Sequence, residues 1–286
     1  MGNKRMKQSR FILSIILAGC ATFLFGAATP NADNVTIAQL SDTHLGEEHS
    51  PQAAANLRQA VKMINARHPD AVIVSGDIGE NEKEREQVKI ILKDLASPVY
   101  YVPGNHDVRN TNDLARYRKQ FGPDYYRFPV KNVEVLVLDS ELLGNYAKWA
   151  NWKTLPPLPP EMAAESEKML AWLGRQEEPT KGKVVIAVQH IPLFRDDNFP
   201  KNNPYWTVDA HYATREADLL HGLGVKNMLA GHWHIERVFE QDGITVHVGP
   251  ATSWLPMGGQ LGFAMHTITA NGNVHTEFVP LPNATP

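Results

Sequence analysis

Short apolar runs alternate along this chain with longer stretches in which apolar residues recur every three or four positions. The runs "VTIAQLSD" (35–42), "AVIVSGD" (71–77), "VYYVPGN" (99–105), "VEVLVLDS" (133–140), "VVIAVQH" (184–190), "KNMLAGH" (226–232) and "ITVHVGPA" (244–251) are rich in β-branched residues and close on Gly, Asp, Asn or His, so each predicts a strand. Between the first two, "PQAAANLRQAVKMINARH" places Leu57, Val61 and Ile64 on one face of a helix. "NEKEREQVKIILKDL" and "EMAAESEKMLAWLGRQ" predict two more amphipathic helices, the first heavily charged on its solvent side. Strands interleaved with helices in this way predict an α/β or mixed layered sheet. Residues 145–160 and 195–211 break the pattern as long loops bearing Pro and Trp, a length that in a compact domain points to function or disorder.

The N-terminus follows a different rule. Lys4, Arg5, Lys7 and Arg10 precede the apolar run "FILSIILAGCATFLFGAA", after which the chain turns polar, so residues 1–28 predict a signal peptide or an N-terminal anchor. Gly26 and Ala28 suit cleavage after Ala28. The stretch "LAGC" resembles a lipidation signal at Cys20, although the apolar "TFLF" behind it argues against that route. The 18 apolar residues also stand at the lower edge of what spans a bilayer. Each alternative expects an exported body, periplasmic or secreted, meeting a membrane only through this segment if it is lipidated or retained.

Composition narrows the partners. The chain has 286 residues, 43% of them hydrophobic, enough for one sizeable core or two small ones. Its formal charge of −3 becomes −7 once the four basic residues ahead of Ala28 are removed, and no Lys/Arg-rich stripe follows, so no nucleic-acid partner is expected. The one cysteine lies in the leader, leaving a body without disulfides that must rely on its core and on metal.

Candidate chemistry sits where the strands end. The first closes on Asp42-Thr43-His44, the second on Gly76-Asp77, the third on Gly104-Asn105-His106-Asp107, a later one on His190, and the "KNMLA" strand on Gly231-His232-Trp233-His234. Ends of separate strands converge if those strands share a sheet. In extended chain the one-residue gaps of Asp42-x-His44 and His232-x-His234 point both side chains of each pair the same way. Glycines before Asp77, Asn105 and His232 allow sharp turns and close backbone approach. Any one of these residues alone reads as a turn residue or a satisfied core histidine, as do His49, His68, His211, His221, His247, His266 and His275. Five strand ends supplying His, Asp and Asn in series have no such ordinary reason. Imidazole and oxygen ligands without thiolate suit Mn, Fe, Zn or Co, and their number exceeds what one tetrahedral ion takes, so two metal ions are expected.

The set D-x-H, G-D, G-N-H-D, H and G-H-x-H, in that order, resembles the calcineurin-like metallophosphoesterases over essentially the whole body, residues 35 to 280. The resemblance implies a single-domain, four-layer α/β/β/α sandwich, here bounded at 33–283, with two metals between the carbonyl ends of its sheets. It implies that Asp42, His44 and His234 bind one metal, Asn105, His190 and His232 the other, and that Asp77 bridges them. His106 would face the leaving group, with Asp107 orienting its imidazole. The implied chemistry is in-line attack on a phosphate ester by a metal-bound hydroxide, with His106 protonating the departing oxygen. Position 80 is Glu80 where purple acid phosphatases carry a tyrosine ligand, which argues against a coloured iron site. "HIPLF", "GHWH" and "GQLG" before a final strand resemble the branch of calcineurin-like phosphoesterase domain-containing protein 1.

That branch favours a phosphomonoesterase of protein-phosphatase type acting on a phosphorylated small molecule or phosphoprotein. A cyclic-nucleotide or other phosphodiesterase shares the same metal core, and a non-catalytic metal-binding scaffold is the alternative from another class. Specificity lives in loops, where Arg109, Arg195, Trp149, Trp152 and Trp206 have ordinary surface or packing explanations, so no substrate-binding residue is assigned.

Overall fold

The computed structural model describes residues 34–146, 154–199 and 203–286. The predicted leader and its Cys20, and the two tryptophans Trp149 and Trp152, lie outside them. Residues 33–286 form one compact unit. Among the described residues no helix is long and apolar enough to cross a membrane.

Eleven strands are described: β1 (Val35–Leu40), β2 (Ala71–Ser75), β3 (Val99–Val102), β4 (Tyr126–Val130), β5 (Val133–Val137), β6 (Val184–Val188), β7 (Asn227–Ala230), β8 (Arg237–Gln241), β9 (Ile244–Val248), β10 (Gly262–Ile268) and β11 (Val274–Pro280). They form two sheets, ordered β11-β10-β1-β2-β3 and β4-β5-β6-β7-β9-β8. In the first, β1, β2 and β3 run parallel; in the second, β5, β6, β7 and β9 do. The helices are α1 (Ala53–Asn65), α2 (Glu82–Leu92), α3 (Thr111–Phe121), α4 (Pro160–Leu173), the short α5 (Glu177–Thr180) and α6 (Ala210–Gly222).

Strand periodicity explains the layering. Along β1, Val35 and Ile37 join Ala71 and Ile73 of β2, Val133, Val135 and Val137 of β5, and Ile186 and Val188 of β6 in a core between the two sheets. The intervening residues point the other way. Ala38, Leu40, Val72 and Val74 pack with Leu57, Val61 and Ile64 of α1 and Val88 and Leu92 of α2, while Leu136, Val185 and Ala187 pack with Met169 and Leu173 of α4 and Leu220 of α6. The architecture is therefore an α/β sandwich with helices outside both sheets, as the resemblance implied.

Toward β9, β10 and β11 the space between the sheets becomes polar and closes by hydrogen bonds. Gln39 donates to Ala230 O (2.7 Å) and Ser75 Oγ (2.8 Å) and meets His266 Nε2 at 2.9 Å through its Oε1. Thr276 Oγ1 lies 2.8 Å from a ring nitrogen of both His266 and His247, and His247 reaches Asn227 Oδ1 at 3.0 Å. His247 and His266 are thus core histidines with partners, as expected for buried polar groups.

Candidate metal centre and active site

The strand ends do converge, but across two sheets rather than along one. Asp42, His44, Asp77, Asn105 and His106 follow strands of the first sheet, and His190, His232 and His234 follow strands of the second. The one-residue gaps also work differently from the expected extended chain. Asp42 (φ 52°), His44 (φ 40°), Asp77 (φ 50°), His232 (φ 68°) and His234 (φ 58°) all adopt left-handed backbone. Non-glycine residues avoid that region, and their clustering at one site marks strain held there by the surroundings. The restraints are visible: Asp42 N donates to Gly76 O (3.2 Å), His44 N to Asp77 O (2.9 Å), Thr43 Oγ1 to Ile78 O (2.7 Å) and Ser253 Oγ to Thr43 O (2.6 Å). Trp233, between two of the ligands, is fully buried, stacks on Phe199 (4.3 Å between centroids) and donates from Nε1 to Trp206 O (2.7 Å). Gly76 has φ +89°, and a Cβ there would overlap the His190 ring.

Ligand-type atoms of Asp42, His44, Asp77 and His234 lie within 4.8 Å of one another, and so do those of Asp77, His190 and His232. Asp77 belongs to both groups, with its Oδ2 3.5 Å from His44 Nε2 and 3.2 Å from His190 Nε2. Asp42 Oδ1 lies 3.1 Å from His234 Nε2. Outer partners decide which nitrogen each ring presents. His44 Nδ1 bonds Glu80 Oε1 (2.8 Å), His190 Nδ1 bonds Ser75 O (2.7 Å) and His234 Nδ1 bonds Trp254 O (2.7 Å), leaving Nε2 of each for the centre. His232 is reversed: its Nε2 donates to Tyr205 O (2.9 Å), which leaves Nδ1. Asn105 Nδ2 donates to Tyr205 Oη (3.0 Å), which turns its Oδ1 away from that partner.

This set fits cations on its own geometry. Buried Asn105 Oδ1 has no hydrogen-bond partner, and Asp42 Oδ1 and His190 Nε2 have beside them only other ligand-type atoms, His234 Nε2 at 3.1 Å and Asp77 Oδ2 at 3.2 Å. His44 Nε2 and His234 Nε2 stand 3.4 Å apart, with the Nδ1 of each ring engaged elsewhere. A positive ion resolves both facts at once.

His106 has a different setting, half-buried beside the centre. Its backbone N donates to Asp77 Oδ1 (2.8 Å) and its Nδ1 bonds Glu80 Oε2 (2.9 Å). Burial disfavours the charged ring, but Asp77 and Glu80 outweigh it and hold His106 up to about 9. Burial likewise works against an ionised Glu80, whose hydrogen bonds to His106 and His44 nevertheless keep it near 2.

The expected orienting role of Asp107 is therefore corrected. Its carboxylate accepts from Ile78 N (3.2 Å) and Gly104 N (3.1 Å), joining the loops that carry Asp77 and Asn105, while the ring of His106 is held by Glu80. Burial and the Asp77 charge push Asp107 up to about 7. In the sequence, Glu80 stands out for replacing a tyrosine, and its place three residues beyond a candidate bridging aspartate is the signal that points to this role. Tyr205, which acts through its hydroxyl and its carbonyl, and Trp254, which acts through its carbonyl, left no such signal.

His106 opens onto a cavity of about 340 Å³ lined also by Glu80, Arg85, Arg109 and Arg116. Arg109 donates to Asn105 O (3.3 Å) and lies 4.0 Å from Glu80. Arg195 is half-buried and does not line this cavity. Trp206 is packed against Phe199 and His232, so it takes the packing explanation. Neither this cavity nor a larger surface hollow of about 870 Å³ between α2 and α3 is lined by a candidate metal ligand.

Comparison with known proteins bears on the same residues. The chain is 26% identical over 275 residues to the human serine/threonine-protein phosphatase CPPED1, covering 88% of this chain and 82% of that protein. It is 24% identical over 231 residues to a probable cyclic nucleotide phosphodiesterase of Fibrobacter succinogenes, covering 76% and 79%. In fold it is similar to a dimetal phosphatase from Danio rerio, with a TM-score of 0.64 at 17% identity, covering 86% of this chain and 99% of that one. The sequence profile described as calcineurin-like phosphoesterase matches residues 35–236, a span that runs from β1 past His234 and takes in every candidate ligand. The chain accordingly belongs to the calcineurin-like phosphoesterase family and is a metal-dependent phosphoester hydrolase.

Proposed function

We propose that the protein is an exported phosphomonoesterase of protein-phosphatase type, acting on a phosphorylated small molecule or phosphoprotein. One observation carries the catalytic part: His106, hydrogen-bonded through Nδ1 to Glu80, stands beside two ligand groups that share Asp77 and opens on a cavity. Asp42, His44 and His234 would hold one cation, Asn105, His190 and His232 the other, with Asp77 common to both. Bound there, two first-row ions (Mn, Fe, Zn or Co) supply Lewis-acid polarisation of phosphoryl oxygens and lower the pKa of a water ligand.

The chain's own residues do the rest. His106 gives a proton to the departing alkoxide or phenoxide oxygen, and Glu80 stabilises the imidazolium before that transfer. Asp107 ties the Asp77 and Asn105 loops so that His106 keeps its distance from the centre. The similarity to CPPED1 over most of the chain supports the monoesterase reading. The Fibrobacter relative supports a second one, a cyclic-nucleotide or other diesterase built on the same centre.

Protein supplied with Mn, Zn, Fe or Co should cleave p-nitrophenyl phosphate and a phosphoserine peptide in preference to bis-p-nitrophenyl phosphate or a cyclic nucleotide. Preference for the diesters would transfer the assignment to the second reading. Hydrolysis of none of them, with two equivalents of metal bound, would leave a metal-binding scaffold. Asp77→Asn should lower metal content together with turnover. Export rests on the basic and apolar pattern of residues 1–28. Its test is the N-terminal sequence of protein recovered outside the cytoplasm, which should begin after Ala28; protein confined to the cytoplasm with Met1 intact would sink it.

A further inference from the structure

Tyr205 lies on the segment between β6 and α6, away from every ligand-bearing strand end, yet it touches two candidate ligands. Its hydroxyl accepts from Asn105 Nδ2 at 3.0 Å, its carbonyl accepts from His232 Nε2 at 2.9 Å, and its ring packs on the His232 ring at 4.8 Å between centroids. The segment is itself pinned. The Asn203 side chain accepts from Tyr205 N (2.9 Å), and the neighbouring Trp206 carbonyl accepts from Trp233 Nε1 (2.7 Å), so the residue between His232 and His234 anchors the loop.

These contacts settle two choices that the ligands cannot make for themselves. A side-chain amide can present either oxygen or nitrogen to a cation, and only oxygen binds; donation to Tyr205 Oη fixes Oδ1 as the buried atom left without a partner. An imidazole can present either nitrogen, and donation from Nε2 to Tyr205 O fixes Nδ1. The other ligand group is oriented elsewhere, Asp42 by Ser41, His44 by Glu80 and His234 by Trp254.

We infer that Tyr205 is a positioning residue for the Asn105–His190–His232 half of the centre and sets its cation affinity separately from the other half. The inference rests on the two-cation reading above. It assigns to a loop residue, rather than to a strand end, control over how readily the second site fills, and so over how much of the protein carries a complete centre at a given metal supply.

Tyr205→Phe removes the hydroxyl and keeps the ring and the carbonyl. Calorimetric titration of the chelated full chain with Mn²⁺ should show two equivalents in the parent. In the variant one equivalent should weaken by about tenfold or more, the usual effect of losing an outer partner of a ligand, with the other unchanged. The Mn²⁺ concentration for half-maximal activity should rise by the same factor while kcat at saturating Mn²⁺ stays at the parent value. Asn105→Ala should weaken the same equivalent, and adding Tyr205→Phe to it should cause no further loss. Unchanged affinities, equal weakening of both equivalents, or a further loss in the double variant would each overturn the role given to Tyr205. A parent chain that takes up fewer than two equivalents would instead overturn the two-cation reading itself, and this inference with it.

Discussion

Glu80, the carboxylate that bonds the His106 ring, stands three positions beyond Asp77, and that short reach bears on how the imidazole titrates. Glu80 bonds His44 with one oxygen and His106 with the other, so a single side chain orients a candidate ligand and the candidate acid. His106 is raised, so its protonated form is present below its pKa and lost as pH rises through it. Glu80→Gln removes one of the two charges that raise it, and the alkaline limb of the kcat/KM profile should move to lower pH. A limb that stays in place would assign it to another group. The acid role has a second signature. His106→Ala should cost on the order of 10²–10⁴ for a phosphoserine peptide, whose alkoxide needs a proton, and much less for p-nitrophenyl phosphate, whose phenolate leaves unaided. Equal losses on both substrates would remove the acid role. The convergence of the seven candidate ligand positions was legible in the sequence because His, Asp and Asn repeat at strand ends. The partner of His106 was not, because adjacency in sequence favoured Asp107 while the chain turn puts that carboxylate on the backbone of Ile78 and Gly104.

At the level of elements, what escaped prediction shares a physical cause. Strands β4, β8 and β11 are edges of their sheets, where half-exposed polar residues replace a continuous apolar run, and Pro129 in β4 is tolerated because an edge strand can spare an N–H. Helix α3 buries little beyond Leu114 and Tyr117. Helix α6 hides its apolar face behind Glu216, which is fully buried where the period calls for an apolar residue. Burial pushes that carboxyl up to about 8 from an ordinary 4.5. The Gln189 side chain works against that rise but does not cancel it, and a neutral carboxyl avoids burying a charge without a counter-ion. The folded state then binds a proton that the unfolded chain has released, so its stabilising contribution is whole below about pH 4.5 and is lost as pH rises toward 8. Glu216→Gln keeps a donor and discards the titration. Thermal melts should show the variant gaining on its parent at pH 8 and matching it near pH 5; an equal difference at both values would mean that Glu216 is not neutral in the fold.

For the molecule as a whole, the decisive fact is that the candidate ligands come from both sheets. Asp42, His44, Asp77 and Asn105 belong to one, His190, His232 and His234 to the other, and at the centre the contact between the sheets consists of these polar groups rather than of the apolar residues that fill the space between β2 and β5. A centre that crowds buried Asp42 Oδ1, Asn105 Oδ1 and His190 Nε2 together, with two imidazole nitrogens 3.4 Å apart, costs stability until cations occupy it. Cations that bind only the folded state stabilise it by about 2.7 kcal/mol for a site at a hundredfold excess over Kd. In a domain of this size each kcal/mol moves Tm by about 2–4 °C, so filling one site should raise Tm by roughly 5–10 °C and chelation should reverse it. Asp77→Asn separates this from a general salt effect: it removes the carboxylate common to both groups, so added Mn²⁺ should raise its Tm far less than that of the parent while both chelated proteins melt cooperatively. If Mn²⁺ raised the two melting temperatures equally, the ion would be acting away from the strand ends, and the sheets would owe nothing of their union to the centre between them.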